Sequence, residues 1–268
     1  MGLRFCSLAS GSSGNCHFIA SEATSLLIDV GLSGKRVEQS LERIGERIQD
    51  VQGILVTHEH RDHIHGVGIL SRRFDIPIYA NAHTWAAMEN YIGDVREKNI
   101  MVFDTGKEFC IKDIQIKPYS ISHDAADPVA FSFYHDDGKI SITTDLGCVT
   151  DKIKKEIKDS NLLMIESNHD VEMLKMGRYP YYLKKRILGD KGHLSNEAAG
   201  KLIVDMMQES APPEMVLLGH LSQENNFPEL AYETVKEILV SNKIQVGTDI
   251  CIDLTYRDKE SKIYYIEK

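Results

Sequence analysis

The sequence predicts an α/β protein with two sheets that carry helices on their outer faces. Short apolar runs rich in β-branched residues, which are typical of buried strands, recur along the chain. Segments with helical patterns and capping residues alternate with these runs. Because strands come first with few helices and then alternate with helices, the pattern favours two sheets covered by helices.

The strand prediction rests on a set of short apolar runs. They span residues 3–8, 17–21, 25–30, 53–57, 77–80, 109–121, 130–135, 139–145, 162–166 and 215–220. An Asp-Gly pair lies within residues 136–139, between two of these runs. Such a pair is a strong signal for a tight hairpin.

Four segments are predicted as helices. They span residues 33–46, 150–160, 195–210 and 227–242. The first three begin at Ser33, Thr150 and Ser195, whose hydroxyl groups can cap the N-terminus of a helix. The fourth carries Pro228 near its first turn, where the missing amide hydrogen costs no helical hydrogen bond.

Composition favours one domain over residues 1–268. The chain has no internal repeat and no Pro/Gly/Ser-rich linker. Its five cysteines are scattered and odd in number, which predicts a reducing cytoplasm rather than a disulfide framework. We expect neither a signal peptide nor a membrane span, since the N-terminus lacks the signal pattern and no apolar run reaches roughly 18 residues. The net charge of −9 disfavours a broad nucleic-acid surface but leaves room for a local one.

The segment THEHRDHIHG, residues 57–66, predicts a metal site. His58 and His60 follow an apolar strand, and residues two apart in extended backbone point the same way, so both can bind one ion. Asp62 and His63 come after the turn and point elsewhere, so we expect them to hold a second ion. Imidazole and carboxylate ligands together suit Zn²⁺, Mn²⁺ or Fe²⁺.

Further ligands are expected at the ends of other strands, because one such motif cannot fill two metal sites. His123, Asp145 and His220 each lie just past a predicted strand. Loops that follow strands face the same rim of a sheet, so these side chains can complete the two sites. Each of them alone is more often a cap or a surface residue, and only their combination with HxHxDH is specific.

This constellation resembles the metallo-β-lactamase fold superfamily over nearly the whole chain. The resemblance implies a four-layer αβ/βα sandwich and two divalent metal ions that activate a water and clamp the substrate. It assigns seven ligands, with Asp145 bridging both ions: His58, His60 and His123 on the first ion, and Asp62, His63 and His220 on the second. Asp29 matches an early aspartate of the superfamily, which supports the loop that holds the ligands.

Asp145 also bears on the reaction. Lactam-hydrolysing members of the superfamily usually carry cysteine at this position, so the aspartate argues against β-lactamase activity. The glyoxalase II branch keeps aspartate there as well. The metal ligands alone therefore leave a thioester and a phosphodiester open as substrates.

Residues 162–222 resemble ribonuclease Z and related nucleases of the same fold. Glu166 ends a predicted strand and His193 stands just before a predicted helix. The resemblance implies that this pair protonates the leaving group, which a phosphodiester needs when it expels an alkoxide. We therefore expect Glu166 and His193, together with the metal ligand Asp62, to act in catalysis.

Three candidate substrate contacts lie close to these residues in the sequence, and a fourth lies near the N-terminus. Ser195 and Asn196 open a helix whose free N–H groups can bind a phosphate, although the motif reads His-Leu-Ser-Asn rather than His-Ser-Thr. His169 is a further candidate in the same region. Asn15 lies in the Gly/Ser-rich segment SLASGSSGNC, whose backbone N–H groups can hold an anion.

Two features favour nucleic acid as the substrate. Residues 178–191 interleave five basic residues with three tyrosines, which suits phosphates and unpaired bases, although a solvated amphipathic helix has the same pattern. The motifs ASGSSGN, HEHRDH, TTDLG, ESNHD and GHLSN resemble the YycJ/WalJ-type family of bacterial DNA exonucleases. That resemblance implies a 5′-to-3′ exonuclease acting on DNA rather than RNA. The chain leaves no room for a β-CASP insertion between Asp145 and His220.

Two alternatives remain open. A small-molecule hydrolase of the same fold, such as a thioesterase or a cyclic phosphodiesterase, would have a closed apolar pocket instead of a basic groove near residues 178–191. A non-catalytic partner protein would have no need of seven metal ligands.

Overall fold

The computed structural model describes residues 2–209 and 212–267. Its internal contacts divide the chain into two compact units. The first comprises Met1–Ser120, Ala125–Gly138 and Tyr256–Lys268, and the second comprises Ile121–Asp124 and Lys139–Thr255. The single domain expected over residues 1–268 stays a prediction. Among the described residues, none of the helices has the length and apolar composition needed to cross a membrane.

Strands and helices are numbered in chain order. The strands are β1 (Leu3–Ala9), β2 (Cys16–Ala20), β3 (Ser25–Ile28), β4 (Gly53–Leu55), β5 (Ile78–Asn81), β6 (Ile100–Phe103), β7 (Phe109–Ile111), β8 (Ile114–Ser120), β9 (Val129–His135), β10 (Gly138–Thr143), β11 (Leu162–Glu166), β12 (Met215–Gly219), β13 (Cys251–Leu254) and β14 (Tyr264–Ile266). The helices are α1 (Gly34–Arg43), α2 (Arg61–Ile64), α3 (Val67–Phe74), α4 (Ala82–Ile92), α5 (Asp151–Ile157), α6 (Val171–Met176), α7 (Tyr181–Ile187), α8 (Asn196–Met207) and α9 (Pro228–Ser241).

The first unit is built on a sheet with the order β14-β1-β2-β3-β4-β5-β6. Strands β3 to β6 are parallel, with Leu27 opposite Ile54, whereas β14, β1, β2 and β3 pair antiparallel. Buried side chains of this sheet and of α1, α3 and α4 form one core, which excludes water from the strands. Since β3 and β4 are parallel neighbours, the chain leaves both at the same edge, where Asp29 and Thr57 follow.

The second unit contains four parallel strands in the order β13-β12-β11-β10. Helices α8 and α9 pack against each other. Gly200 permits their close approach, because a Cβ atom there would lie 2.8 Å from Cδ1 of Ile238. The carboxyl ends of β10, β11 and β12 share one edge, where Asp145, Glu166 and His220 stand.

Most predicted strands and helices are confirmed, with corrections. The run 109–121 is wrong as a single strand, because the chain turns between β7 and β8 at Lys112, whose backbone is left-handed (φ 50°). Strands β6, β13 and β14 are not predicted, because each is only three or four residues long. The turn predicted within residues 136–139 is present at Asp136 and Asp137. All five cysteines are free in the structure.

The three predicted N-caps are confirmed. The side chains of Ser33, Thr150 and Ser195 accept hydrogen bonds from backbone N–H groups in the first turns of α1, α5 and α8. Ser210, the last residue of the helix predicted over 195–210, lies outside the described residues.

Replacing Ser195 by alanine is expected to lower the free energy of unfolding by about 1 kcal/mol, because the N–H of Ala198 loses its acceptor. Urea denaturation of the variant measures this loss. Thr150→Ala removes the corresponding cap of α5 and should cost a similar amount. Ser12→Ala changes an exposed loop serine and serves as the control. Equal stability of the Ser195 variant and this control would contradict the prediction.

Candidate metal and active site

Three predicted site residues turn the chain sharply where a parallel strand has ended. Asp29 follows β3, Asp145 follows β10 and His220 follows β12, and their φ angles are 58°, 57° and 54°. Left-handed backbone is uncommon in residues other than glycine, and such strain is concentrated at functional sites. Each turn directs a polar side chain to the edge of the sheet on which that strand lies.

In the first unit, His58 and His60 follow β4 with their rings in contact. Nε2 of His58 lies 3.1 Å from Nδ1 of His60, and His58 is completely buried. Nδ1 of His58 lies 2.9 Å from the Thr57 hydroxyl, which orients its ring. Two imidazole nitrogens at this distance can share a proton or bind one cation, as the sequence predicts.

Asp29 holds the start of this loop together. Its Oδ1 accepts the N–H of Thr57 at 2.9 Å, and its Oδ2 accepts the Thr57 hydroxyl at 2.8 Å. The same Oδ2 lies 2.8 Å from Nδ1 of His63, which belongs to α2. This contact makes Nδ1 the donor and leaves the lone pair of Nε2 for a ligand. Oδ2 of Asp62 lies 3.7 Å from that Nε2 atom.

Thr57 is a site residue that sequence reasoning missed. Its hydroxyl contacts Asp29, His58 and His63. The available signal is its position between a buried strand and the first histidine of HxHxDH. A hydroxyl there can accept and donate at once, which allows one residue to orient two imidazoles.

Asn15 connects the Gly/Ser-rich loop to the same histidine. It is buried, its Oδ1 accepts the N–H of Gly11 at 2.8 Å, and its Nδ2 lies 3.0 Å from Nε2 of His63. Its backbone N–H donates to the carbonyl of Asp62 at 2.8 Å. A cleft of about 360 Å³ opens beside this loop, lined by Ser12, Ser13, Gly31, Arg61, Asp62 and His65. Serine hydroxyls and a guanidinium in one cleft suit an anion.

Asp29→Asn is expected to weaken metal binding by about 10- to 100-fold, because an amide oxygen no longer fixes the tautomer of His63 as a carboxylate does. Titration with Zn²⁺ against a competing chelator measures the change. Asp159 has the same left-handed backbone but is exposed on the second unit, so Asp159→Asn is the control. A variant at position 29 that binds zinc as tightly as this control would contradict the supporting role.

In the second unit, Glu166 is the centre of the site. This completely buried carboxylate places Oε1 2.8 Å from Nδ1 of His193 and 2.6 Å from Nδ1 of His220. Its Oε2 accepts the backbone N–H groups of Leu146 and Leu194, both at 3.0 Å. The structure therefore brings together the pair Glu166 and His193, and one carboxylate orients two imidazoles.

Asp145 lies beside this pair. Its Oδ1 is 3.3 Å from Nδ1 of His220, 3.8 Å from Nδ1 of His193 and 3.9 Å from Nε2 of His123. Nδ1 of His123 faces the carbonyl of Gly192 at 3.3 Å. Asp145, Glu166, His193 and His220 each offer a ligand atom within 4.8 Å of the others, a set able to hold a divalent metal.

The electrostatics of this cluster favour charged forms. Burial acts to raise the pKa of Glu166, but the charge and hydrogen bonds of His193 and His220 outweigh it and hold the pKa well below its usual value. Burial acts to lower the pKa of His193, but the Glu166 carboxylate raises it above its ordinary value. His193 therefore keeps a proton at neutral pH, and its side chain is 23% exposed.

The predicted substrate contacts have different surroundings. Asn196 is completely buried, and its Oδ1 accepts the Ser167 hydroxyl at 2.7 Å and Nδ2 of Asn226 at 2.9 Å. The hydroxyl of Ser195 caps α8. His169 is 1% exposed, its ring nitrogens have no hydrogen-bond partner among the described residues, and burial lowers its pKa to about 4. Phosphate contact by these residues stays a prediction.

Comparison with known proteins identifies the family. Residues 24–220 match the family model described as a beta-lactamase superfamily domain. Exodeoxyribonuclease YycJ of Bacillus anthracis is 43% identical over 99% of this chain and 100% of its own length. Exodeoxyribonuclease WalJ of Streptococcus pneumoniae D39 is 41% identical over 93% of this chain and 93% of its own length.

Solved structures share the fold. The metallo-beta-lactamase fold protein YhfI of Bacillus subtilis covers 98% of this chain and 99% of its own, with a TM-score of 0.72 and 14% identity. Human tRNase Z, short form, covers 99% of this chain and 100% of its own, with a TM-score of 0.63 and 15% identity. These likenesses confirm the predicted α/β sandwich fold, and the family confirms the predicted class, a metal-dependent hydrolase. The chain belongs to the β-lactamase superfamily and, within it, to the family of the exodeoxyribonucleases YycJ and WalJ.

Proposed function

We propose that this protein is a DNA exonuclease that depends on two divalent metal ions. The observation that carries the proposal is the contact of 2.8 Å between His193 and Glu166 beside Asp145 and His220. Hydrolysis of a thioester expels a thiolate that needs little help from an acid, whereas hydrolysis of a phosphodiester expels an alkoxide that must be protonated. A charged imidazole held by a buried carboxylate meets that need.

The donor set fits divalent metals, and we propose its division between two ions. The proposal follows the family resemblance: His58, His60 and His123 on one ion, Asp62, His63 and His220 on the other, and Asp145 on both. Imidazole nitrogens and carboxylate oxygens suit Zn²⁺ or Mn²⁺, and also Fe²⁺. When bound, such ions lower the pKa of water and neutralise phosphate charge. Asp29 and Thr57 support this set through the contacts described above.

The protein's own groups supply the remaining chemistry. Nδ1 of His193 faces Glu166, so Nε2 is the atom that can donate a proton to the leaving oxygen. Glu166 is the positioning residue, because it is completely buried and acts through His193. The cleft lined by Ser12, Ser13 and Arg61 beside Asp62 offers a site for an anion such as a phosphate.

The choice of DNA, and of digestion from the 5′ end, is part of the proposal. The relatives YycJ and WalJ are named exodeoxyribonucleases, which supports DNA over RNA. The 5′-to-3′ direction follows from the family resemblance. We also propose a cytoplasmic location, where DNA is accessible and where free cysteines remain reduced.

Incubation with labelled substrates tests the proposal. The purified protein with Mn²⁺ or Zn²⁺ is expected to shorten 3′-labelled DNA stepwise and to release the label of 5′-labelled DNA as the first product, in single- or double-stranded form. A chelator should abolish both. RNA of the same sequence and a thioester are the comparison substrates. Turnover of the thioester without cleavage of any nucleic acid would overturn the proposal in favour of a small-molecule hydrolase.

A further inference from the structure

One surface of the second unit combines positive charge with exposed aromatic rings. Residues 175–186, here called the basic–tyrosine face, carry five basic side chains and no acidic one, whereas the whole chain has a net charge of −9. The basic residues are Lys175, Arg178, Lys184, Lys185 and Arg186. We propose that this face binds the single-stranded end of the DNA, with bases stacked on Tyr181 and Tyr182; the inference rests on the proposed function.

The large apolar side chains of this face are unusually exposed to solvent. Met176 is 83% exposed, Tyr181 80% and Tyr182 74%, and only Tyr91 among the other large apolar residues described is as exposed. Leaving aromatic rings in water forfeits the favourable free energy of their burial. Adjacent tyrosines at the start of α7 offer flat surfaces to bases, and stacking accepts every base because each has a π-face.

Charge complementarity favours nucleic acid over an apolar protein partner. Lys175 is paired with Glu172 and Arg186 with Asp124, whereas Arg178 and Lys185 form no ion pair among the described residues and are available to phosphates. Lys185 lies one helical turn after Tyr181, which places a cation beside the stacking ring. A strand whose bases stack on the tyrosines keeps its phosphates within reach of these cations. Only unpaired bases can stack in this way, so the face is suited to a single strand.

The face is continuous with the proposed active site. The N–H of His193 donates to the carbonyl of Ile187, the last residue of α7, at 3.0 Å. Nε of Arg186 lies 2.5 Å from Oδ2 of Asp124, which directly follows the proposed ligand His123. Nζ of Lys184 donates to the carbonyl of Lys175 and so fixes α7 against the end of α6. A strand bound on the face therefore lies next to the residue that protonates the leaving oxygen.

Binding measurements with paired variants test the inference. The double variant Tyr181→Ala/Tyr182→Ala is expected to bind a fluorescein-labelled oligothymidylate roughly tenfold more weakly or worse, measured by anisotropy in the presence of a chelator. Tyr91→Ala removes an equally exposed tyrosine of the first unit and should bind like the wild type. Lys185→Gln should weaken binding and reduce the salt slope by about 0.7, whereas Lys201→Gln, which changes an exposed lysine of α8, should not.

The outcomes separate this inference from the proposed function. A wild type that cleaves DNA, with a double-tyrosine variant that binds as tightly as Tyr91→Ala, overturns the face and leaves the nuclease intact. A wild type that binds oligothymidylate through these tyrosines but cleaves no DNA supports the face and overturns the nuclease. Circular dichroism of each variant excludes unfolding as the cause.

Discussion

His193→Ala is expected to lower the rate of DNA cleavage by roughly 10²–10⁴-fold while leaving the metal content unchanged. The variant removes the imidazole that Glu166 holds at 2.8 Å and that keeps a proton at neutral pH. Without it, the leaving alkoxide must take its proton from water. Single-turnover cleavage of end-labelled DNA measures the rate, and elemental analysis of the purified variant measures bound metal.

A substrate with an activated leaving group distinguishes proton donation from a merely structural role. The nitrophenyl ester of thymidine monophosphate expels nitrophenolate, which needs no proton from the enzyme. The His193→Ala variant should therefore lose at most about tenfold on this ester. Equal losses on the ester and on DNA, or loss of metal, would assign His193 to the metal site instead. That reading has a physical basis, because His193 lies among atoms able to hold a metal.

Asp145→Ala is expected to abolish activity and to reduce bound metal to one ion or none. The proposed bridging carboxylate lies 3.3 Å from His220 and faces His123, so its removal leaves these imidazoles without the negative charge that balances a cation. Asp145→Asn keeps the shape of the side chain but removes its charge, and should fail in the same way. Metal titration and DNA cleavage under saturating Mn²⁺ measure both effects.

Asp159→Ala controls for the backbone. Asp159 is exposed and has a φ of 60°, close to the 57° of Asp145, so both variants place alanine in a left-handed conformation. Both should lose stability for this reason, and only the Asp145 variant should lose metal. An Asp145→Ala protein with two bound ions and measurable nuclease activity would contradict the bridging role.

Much of the fold could be predicted from the sequence, because buried parallel strands consist of continuous runs of apolar residues. The runs that contain Leu163 and Val216 identify β11 and β12, and the polar residues Glu166 and His220 that follow them identify the edge. Short strands were not predicted, because a segment such as Tyr264–Ile266 has too few residues to show a continuous apolar run. The turn at Lys112 divides one predicted strand into two. The sequence did not indicate this turn, because lysine is not a typical turn residue.

Contacts between distant residues could not be read from the sequence. The role of Thr57 depends on Asp29 and His63, which approach it only after β3 and β4 pair in parallel. Asn196 is the first residue of α8, and its amide lies within a buried set with Ser167 and Asn226 that the sequence pattern does not indicate. The sequence indicates that a residue lies at the end of a strand or helix, but tertiary packing determines which groups its side chain contacts.

The shared oxygen of Glu166 has a consequence for how this family can diverge. Oε1 serves both His193 and His220, so any substitution that changes the position of one imidazole also disturbs the other. Selection for a different leaving group cannot adjust the proton donor without altering a proposed metal ligand. New substrates are therefore more accessible through surface segments such as α7 than through the site itself, and the site is expected to change last.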